Sequence, residues 1–417
     1  MSSSPRPNWR IVSACASFPL ATVIMPRLSG WRYLEVVLRL GRLAPGFVDS
    51  YGGPRELAES IAAEPPPTPE ELVDQIRELL TLVDDDDDRA RRIWLHAQLA
   101  ALELAAASLG GEQRAYAELA ERCHGARPEL EPEDSFAEAH GRLDTALPGA
   151  GPVAERHQAW LETQIVPGEK IGAALTWLAD GLRERTRELF GLPDGERVEF
   201  EVVSGKPWAG YARYTGDLRS QIFVNADLPL ASHRLLELVA HEAYPGHHTE
   251  HVAKEVALVR PHGHLEHQVF LYPTPQALVA EGIAQLALEM ALGDDADDVA
   301  AACLRPLGIA YDAETAVRVR AAKELLLPVL QNVALLDLPR EDAWAYLRRW
   351  MIDSDAHVDK TIDSYLALAW RPYTSCYPEG LRLARAFVGG DSARFTRLLR
   401  EPLTPADLRS QPPPRTP

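Results

Sequence analysis

Apolar residues recur at helical spacing along most of this chain. Tyr33, Val36, Val37 and Leu40 form one stripe and Trp94, Leu95, Leu99, Leu102 and Leu104 another, with alanines between them, so a helical layer is predicted from Trp31 to about Leu147. Pro65-Pro66-Pro67 ends one helix in that layer, and Thr68-Pro69-Glu70-Glu71 opens the next. The turn-forming cluster Leu147-Pro148-Gly149-Ala150-Gly151-Pro152 predicts a boundary near 150, which divides the chain into a poorly structured tail (1–30), a helical N-terminal region (31–150) and a larger remainder (151–417). A helix from Ile171 through Trp177 to Phe190 follows, stopped by Gly191-Leu192-Pro193-Asp194-Gly195. The period then changes. Val198-Glu199-Phe200-Glu201-Val202-Val203 alternates as a half-exposed strand, and 210–215 and 221–225 supply two more, predicting a small antiparallel sheet. Helical spacing returns in Leu235, Leu236, Leu238, Val239 and Ala240, with Ser232 available as N-cap, and again over 277–292, 313–338, 340–351 and 365–370. The fold class expected is therefore mainly α, with one small sheet.

Composition narrows the function classes. With 417 residues the chain can bury a large core, and 43 basic against 61 acidic residues give a net charge of −18. That balance argues against nucleic acid or anionic membrane as partner. No segment reaches the ~18 consecutive apolar residues of a membrane span. Cys15, Cys123, Cys303 and Cys376 are sparse and unpatterned, so neither a disulfide framework nor a thiolate metal site is expected, which fits a reducing cytoplasm. Val12-Ser13-Ala14-Cys15 is similar to a lipoprotein cleavage box but lacks an apolar run before it. The acidic runs Asp84–Asp88 and Asp294–Asp298 read as solvated loops, since neither has the alternating ligands, central Gly and distal Glu of a calcium loop.

Chemistry concentrates in His241-Glu242-Ala243-Tyr244-Pro245-Gly246-His247-His248-Thr249-Glu250-His251. A His-Glu pair at the end of an apolar helix is half of H-E-x-x-H, in which two His at i and i+4 bind zinc and the Glu activates a water. Here Pro245 stands at i+4. On an unbroken helix His247 and His248 lie about 9 to 10 Å further along the axis, too far to share one metal with His241 at roughly 2.0 to 2.1 Å per bond. Pro245 cannot donate its N–H and Gly246 tolerates unusual dihedrals, so the pair is expected to bulge and shorten the path. Taken as a two-residue insertion, Pro-Gly restores the register at His247, while His248 stays open as the alternative ligand. Downstream, His262, His264 and His267 read as a surface cluster. Glu281, Gln285 and Glu289 share one stripe of an apolar helix, which on its own is either a wetted face or a ligand-bearing one.

H-E-A-Y-P-G-H-H resembles the bacterial family catalogued as domain of unknown function 885, related to gluzincin metallopeptidases such as thermostable carboxypeptidase. Lys206-Pro207-Trp208-Ala209-Gly210-Tyr211 with Asn225-Ala226-Asp227-Leu228-Pro229, then Glu281-Gly282, then Trp370-Arg371-Pro372-Tyr373 and Tyr377-Pro378-Glu379-Gly380 fall in the order of a subgroup of that family, from about residue 32 onward. Two departures stand out. Arg371-Pro372-Tyr373 occupies the place of a P-G-Q segment, and the Asp and His usual in the middle of the C-terminal half are not evident.

The resemblance implies a multi-helix gluzincin-like architecture whose metallopeptidase-like part is 151–417. It implies a zinc-dependent hydrolase acting on short peptides, with one Zn²⁺ per chain held by His241, His247 and Glu281 and with Glu242 as general base. The small sheet would lie beside the metal helix, its edge aligning an extended substrate. Tyr377 would donate to the oxyanion, and Arg371 and Tyr373 would bind substrate. Two alternatives stay open: hydrolysis of a non-peptide amide or ester by the same machinery, and a catalytically inactive helical binding protein.

Overall fold

The computed structural model describes residues 28–411 apart from 113, 207, 228 and 367–370. The tail up to 27 with the Val12–Cys15 box, and Pro207, Leu228 and Trp370 of the resemblance motifs, lie outside the described residues. The chain is mainly α with small sheets.

The N-terminal layer forms as the apolar stripes predict. Leu28–Leu43 packs on the antiparallel pair Pro69–Asp84 and Arg89–Leu109, around Tyr33, Leu40, Leu72, Ile76, Trp94 and Leu99. The first helix begins at Leu28 and buries Ser29 and Gly30, so the tail expected over 1–30 does not extend into those residues. Thr68 closes a capping box with Glu71, fixing where the second helix starts. The acidic run after that helix is not merely solvated. Asp88 caps the next helix, and Asp86 turns inward to pair with Arg91, which is fully buried and also donates to Ser29 Oγ (2.9 Å) and to Glu266 Oε2 (3.0 Å). A guanidinium with no access to water needs such a set of acceptors.

Among the described residues two sheets form, of which the sequence pattern revealed one. β1 (Val48–Tyr51) pairs antiparallel with β5 (Val269–Leu271), joining the N-terminal layer to the segment that follows the histidine-rich motif. The second sheet holds β2 (Arg197–Val203), β3 (Gly210–Gly216) and β4 (Arg219–Asn225) in the order β2-β4-β3. It is mixed rather than antiparallel: β3 and β4 make a hairpin, whereas β2 runs parallel to β4. Alternation reveals a strand but not its neighbour, and here β2 and β3, consecutive in sequence, lie on opposite sides of β4.

The helix Pro275–Leu292 is the axis of the larger region. One side meets Ile171–Phe190 and Ser232–Glu242, the other meets Cys376–Val388 and Ser392–Arg400. It is covered almost all round, as its run of Ala, Leu, Ile and Val requires. Glu281 sits mid-helix in this cover, while Glu289 reaches an exposed pairing with Arg385. Ser232 is not the cap of its helix: it lies one residue inside, after Ala231, and its N–H bonds Gln164 O at 2.9 Å. Asp297, from the second acidic run, is likewise buried against Arg320 and Tyr311.

Gly282 and Gly380 mark where the axial helix crosses its neighbour, so closely that a Cβ on Gly282 would stand 2.4 Å from Gly380 O. Gly282→Ala should destabilise the fold by about 1–3 kcal/mol through overpacking. At an unobstructed helix position the same change stabilises by roughly 0.5–1 kcal/mol, so urea unfolding reads the sign directly.

Candidate metal centre

The motif folds as the two-residue insertion predicts. The helix Ser232–Glu242 stops, four residues intervene, and a new helix runs from His247 to Lys254. Its hydrogen bonds record the insertion. Ala243 N–H bonds Val239 O in the ordinary four-residue step (3.0 Å), but Gly246 N–H reaches back six residues to Ala240 O (3.0 Å) and Thr249 N–H six to Ala243 O (3.2 Å). With Glu250 N–H on Gly246 O (3.0 Å) the four-residue step returns. Gly246 is required there, because a Cβ would fall 1.8 Å from His241 O.

This path returns His247 to His241 and turns His248 away. The His241 and His247 rings are perpendicular with centroids 4.8 Å apart. His248 points to the opposite side, its Nδ1 2.7 Å from Ser220 Oγ and its Nε2 3.1 Å from Glu196 Oε2. Tyr244, on the looped-out turn, donates to the same Glu196 oxygen at 2.6 Å. Burial works to raise the Glu196 pKa, but hydrogen bonds from His248, Tyr244 and Arg183 prevail and hold it at about 2. His248 therefore anchors the bulge to β4 and to the segment before β2.

Glu281 completes the cluster from the axial helix. Its Oε2 lies 3.5 Å from His241 Nε2 and its Oε1 3.4 Å from His247 Nε2, and ligand atoms of the three residues fall within 4.8 Å of one another. Two ligands each about 2.0 Å from one zinc at the tetrahedral angle stand about 3.3 Å apart, so these separations suit a shared ion. The chemistry of the donors suits it too. Glu281 is 2 % exposed, its Oε1 accepts from Tyr373, and its Oε2 has no hydrogen-bond partner among the described residues. A buried carboxylate oxygen left so needs a cation. Burial lowers the His241 pKa to about 4, leaving a neutral imidazole, while at His247 the Glu281 carboxylate overcomes burial and raises the pKa to about 9. Two imidazoles and one carboxylate with oxygen to spare fit zinc.

Glu242 and Tyr377 face the same cavity of about 80 Å³. β3 runs along it, with Ala212 N–H hydrogen-bonded to the Glu242 carboxylate and Gly210 so close that a Cβ would meet Glu242 Oε1 at 3.1 Å. Burial raises the Glu242 pKa to about 7. Tyr377 hydrogen-bonds with Tyr373, and burial keeps both hydroxyls protonated.

The remaining candidates are placed differently. Tyr373 lines the cavity but is directed to Glu281, so it positions a ligand. Arg371 is not brought to the site; it pairs with Asp337 at the surface. His264 and His267 are buried rather than a surface cluster, His267 against the Trp94 ring at 4.4 Å, because the loop carrying them folds under the N-terminal layer. Asp49, Tyr211, Tyr272 and His251 also line the cavity. The Trp208–Tyr211 stretch had been singled out, whereas Asp49 stands alone in a four-residue strand with no motif around it.

No protein-family model matches the chain, and no curated protein matches it. Among solved structures it is similar to one described as a "putative lipoprotein" from Colwellia psychrerythraea, at 18% identity and TM-score 0.53 over 82% of this chain. The chain spans 66% of that protein's length, and the likeness concerns the fold alone.

His247→Ala should weaken zinc binding by more than about 100-fold, beyond the loss usual for a supporting residue. His248→Ala should retain the site and cost about 1–3 kcal/mol of stability through its lost buried hydrogen bonds. Competition with a zinc-binding dye, alongside urea unfolding, checks both.

Proposed function

We propose that this chain is a zinc-dependent peptidase of gluzincin-like architecture, acting on short peptides, and a relative of the domain of unknown function 885 family. The observation that carries the reading is convergence: His241, His247, Glu281 and Glu242, from three helices, meet around one cavity. One zinc per chain, held by the first three, would supply a Lewis acid and a water of lowered pKa.

The protein's own groups have defined parts. Glu242 takes a proton from the attacking water and passes it to the leaving amine, and a carboxyl raised to about 7 is suited to both transfers. Tyr377 keeps its hydroxyl proton and donates it as a hydrogen bond to the carbonyl oxygen as negative charge develops. Tyr373 fixes the Glu281 carboxylate, and Ala212 on β3 orients Glu242. A cavity of about 80 Å³ favours small substrates. No helix among the described residues is long and apolar enough to cross a membrane. Cys123, Cys303 and Cys376 are free, in keeping with the proposed reducing, cytoplasmic setting.

Glu242→Gln should bind zinc like the parent yet hydrolyse peptides about 10²- to 10⁴-fold more slowly. Zinc content and turnover of a short-peptide library, run beside ester and non-peptide amide substrates, decide the substrate class as well. Parent-level peptide hydrolysis by the variant would remove Glu242 from the mechanism.

A further inference from the structure

Asp49 is the one carboxylate of the cavity without a part in this mechanism. The pairing of β1 with β5 brings it from the far N-terminal layer to the cavity wall, where the Tyr272 hydroxyl donates to its Oδ1 and the Tyr211 hydroxyl donates to its backbone oxygen. Close contact between Gly52 and Gly216 holds the end of β1 against β3, so the position is built by the fold. Among the described residues the Asp49 carboxylate has one hydrogen-bond donor and forms no ion pair with a Lys or Arg. The carboxylate is half-buried, and desolvation pushes its pKa up to about 7 against the Tyr272 hydrogen bond and the nearby His247, which lower it.

The rest of the lining brings two more carboxylates and three histidines. Glu281 is committed to the imidazoles and Glu242 to proton transfer, and among the described residues no Lys or Arg lines the cavity. Arg371, the residue that would have held a substrate carboxylate, faces Asp337 elsewhere. Trp208, Tyr211, Phe270 and Tyr272 give the wall aromatic rings, whose faces attract an ammonium ion.

We propose that this cavity selects its substrates by a free ammonium group, which the Asp49 carboxylate binds at the aromatic wall. The inference rests on the peptidase reading and sharpens it: the favoured substrates are short peptides with a free amino terminus, and a C-terminal carboxylate is not required.

Titration calorimetry on zinc-loaded Glu242→Gln protein, which holds peptide without turnover, tests the proposal. Tetra-alanine with a free amino terminus should bind at least about tenfold more tightly than its N-acetylated form, as a charge-assisted contact gives. Asp49→Asn in the same background keeps an oxygen for the Tyr272 hydroxyl. It should bring the free peptide down to the affinity of the acetylated one and leave the latter unchanged. N-acetyl-Ala-Ala-Lys-Ala separates the two sources of ammonium. Binding at the acetylated tetra-alanine level assigns the α-amine, and binding at the free-peptide level assigns a side-chain amine to Asp49 instead. Equal binding of free and acetylated tetra-alanine, or a preference that survives Asp49→Asn, overturns the proposal. Turnover by the parent keeps the two readings apart: cleavage of acetylated peptides as fast as free ones leaves a peptidase without ammonium selection. If no peptide is cleaved the peptidase reading falls, while the binding comparison still decides the role of Asp49.

Discussion

A single carboxylate in the middle of an apolar helix governs this structure. Glu281 is 2 % exposed on a helix buried on nearly every side, and one of its oxygens has no hydrogen-bond partner among the described residues. Such a group is tolerated only where positive charge meets it. His241 and His247 are the groups that reach it, and they do so only because the motif helix is interrupted. Much of the surrounding structure serves that meeting. Gly246 lets the backbone double back, His248 and Tyr244 tie the bulge to Glu196, and Tyr373 holds the second Glu281 oxygen.

The same logic explains why the N-terminal layer belongs to the site. Arg91, on the helix Arg89–Leu109, connects Ser29 of the first helix to Glu266, in the loop beyond the motif, and β1 pairs with β5 immediately after that loop. These contacts, far apart in sequence, place Asp49 and Tyr272 on the cavity wall. The cavity is thus closed by elements more than 200 residues apart, and its aromatic and acidic lining comes from both.

The helices were legible because their apolar stripes are long, and Ile171–Phe190 ends at the glycine that the sequence marks. The bulge was legible for a chemical reason: proline and glycine inside a ligand motif admit few backbone paths, and counting them as a two-residue insertion puts His247 in register. What the sequence concealed lies in long-range partnership. Alternation revealed β2, β3 and β4 but not that β2 runs parallel to β4. The four-residue strand holding Asp49 is too short to show a period. The acidic runs look solvated until Arg91 and Arg320 are seen to draw Asp86 and Asp297 inward. Arg371 fitted a carboxylate clamp by type and order, yet its neighbour in space is Asp337.

The central claim is that His241, His247 and Glu281 hold one zinc. Anomalous diffraction at the zinc absorption edge, from crystals of protein loaded with one equivalent of zinc and washed free of excess, tests it most directly. The account predicts a single strong peak per chain, within about 2.0–2.2 Å of His241 Nε2, His247 Nε2 and a Glu281 oxygen. A peak at His248 and Glu196, or none near the Glu281 carboxylate, would contradict it.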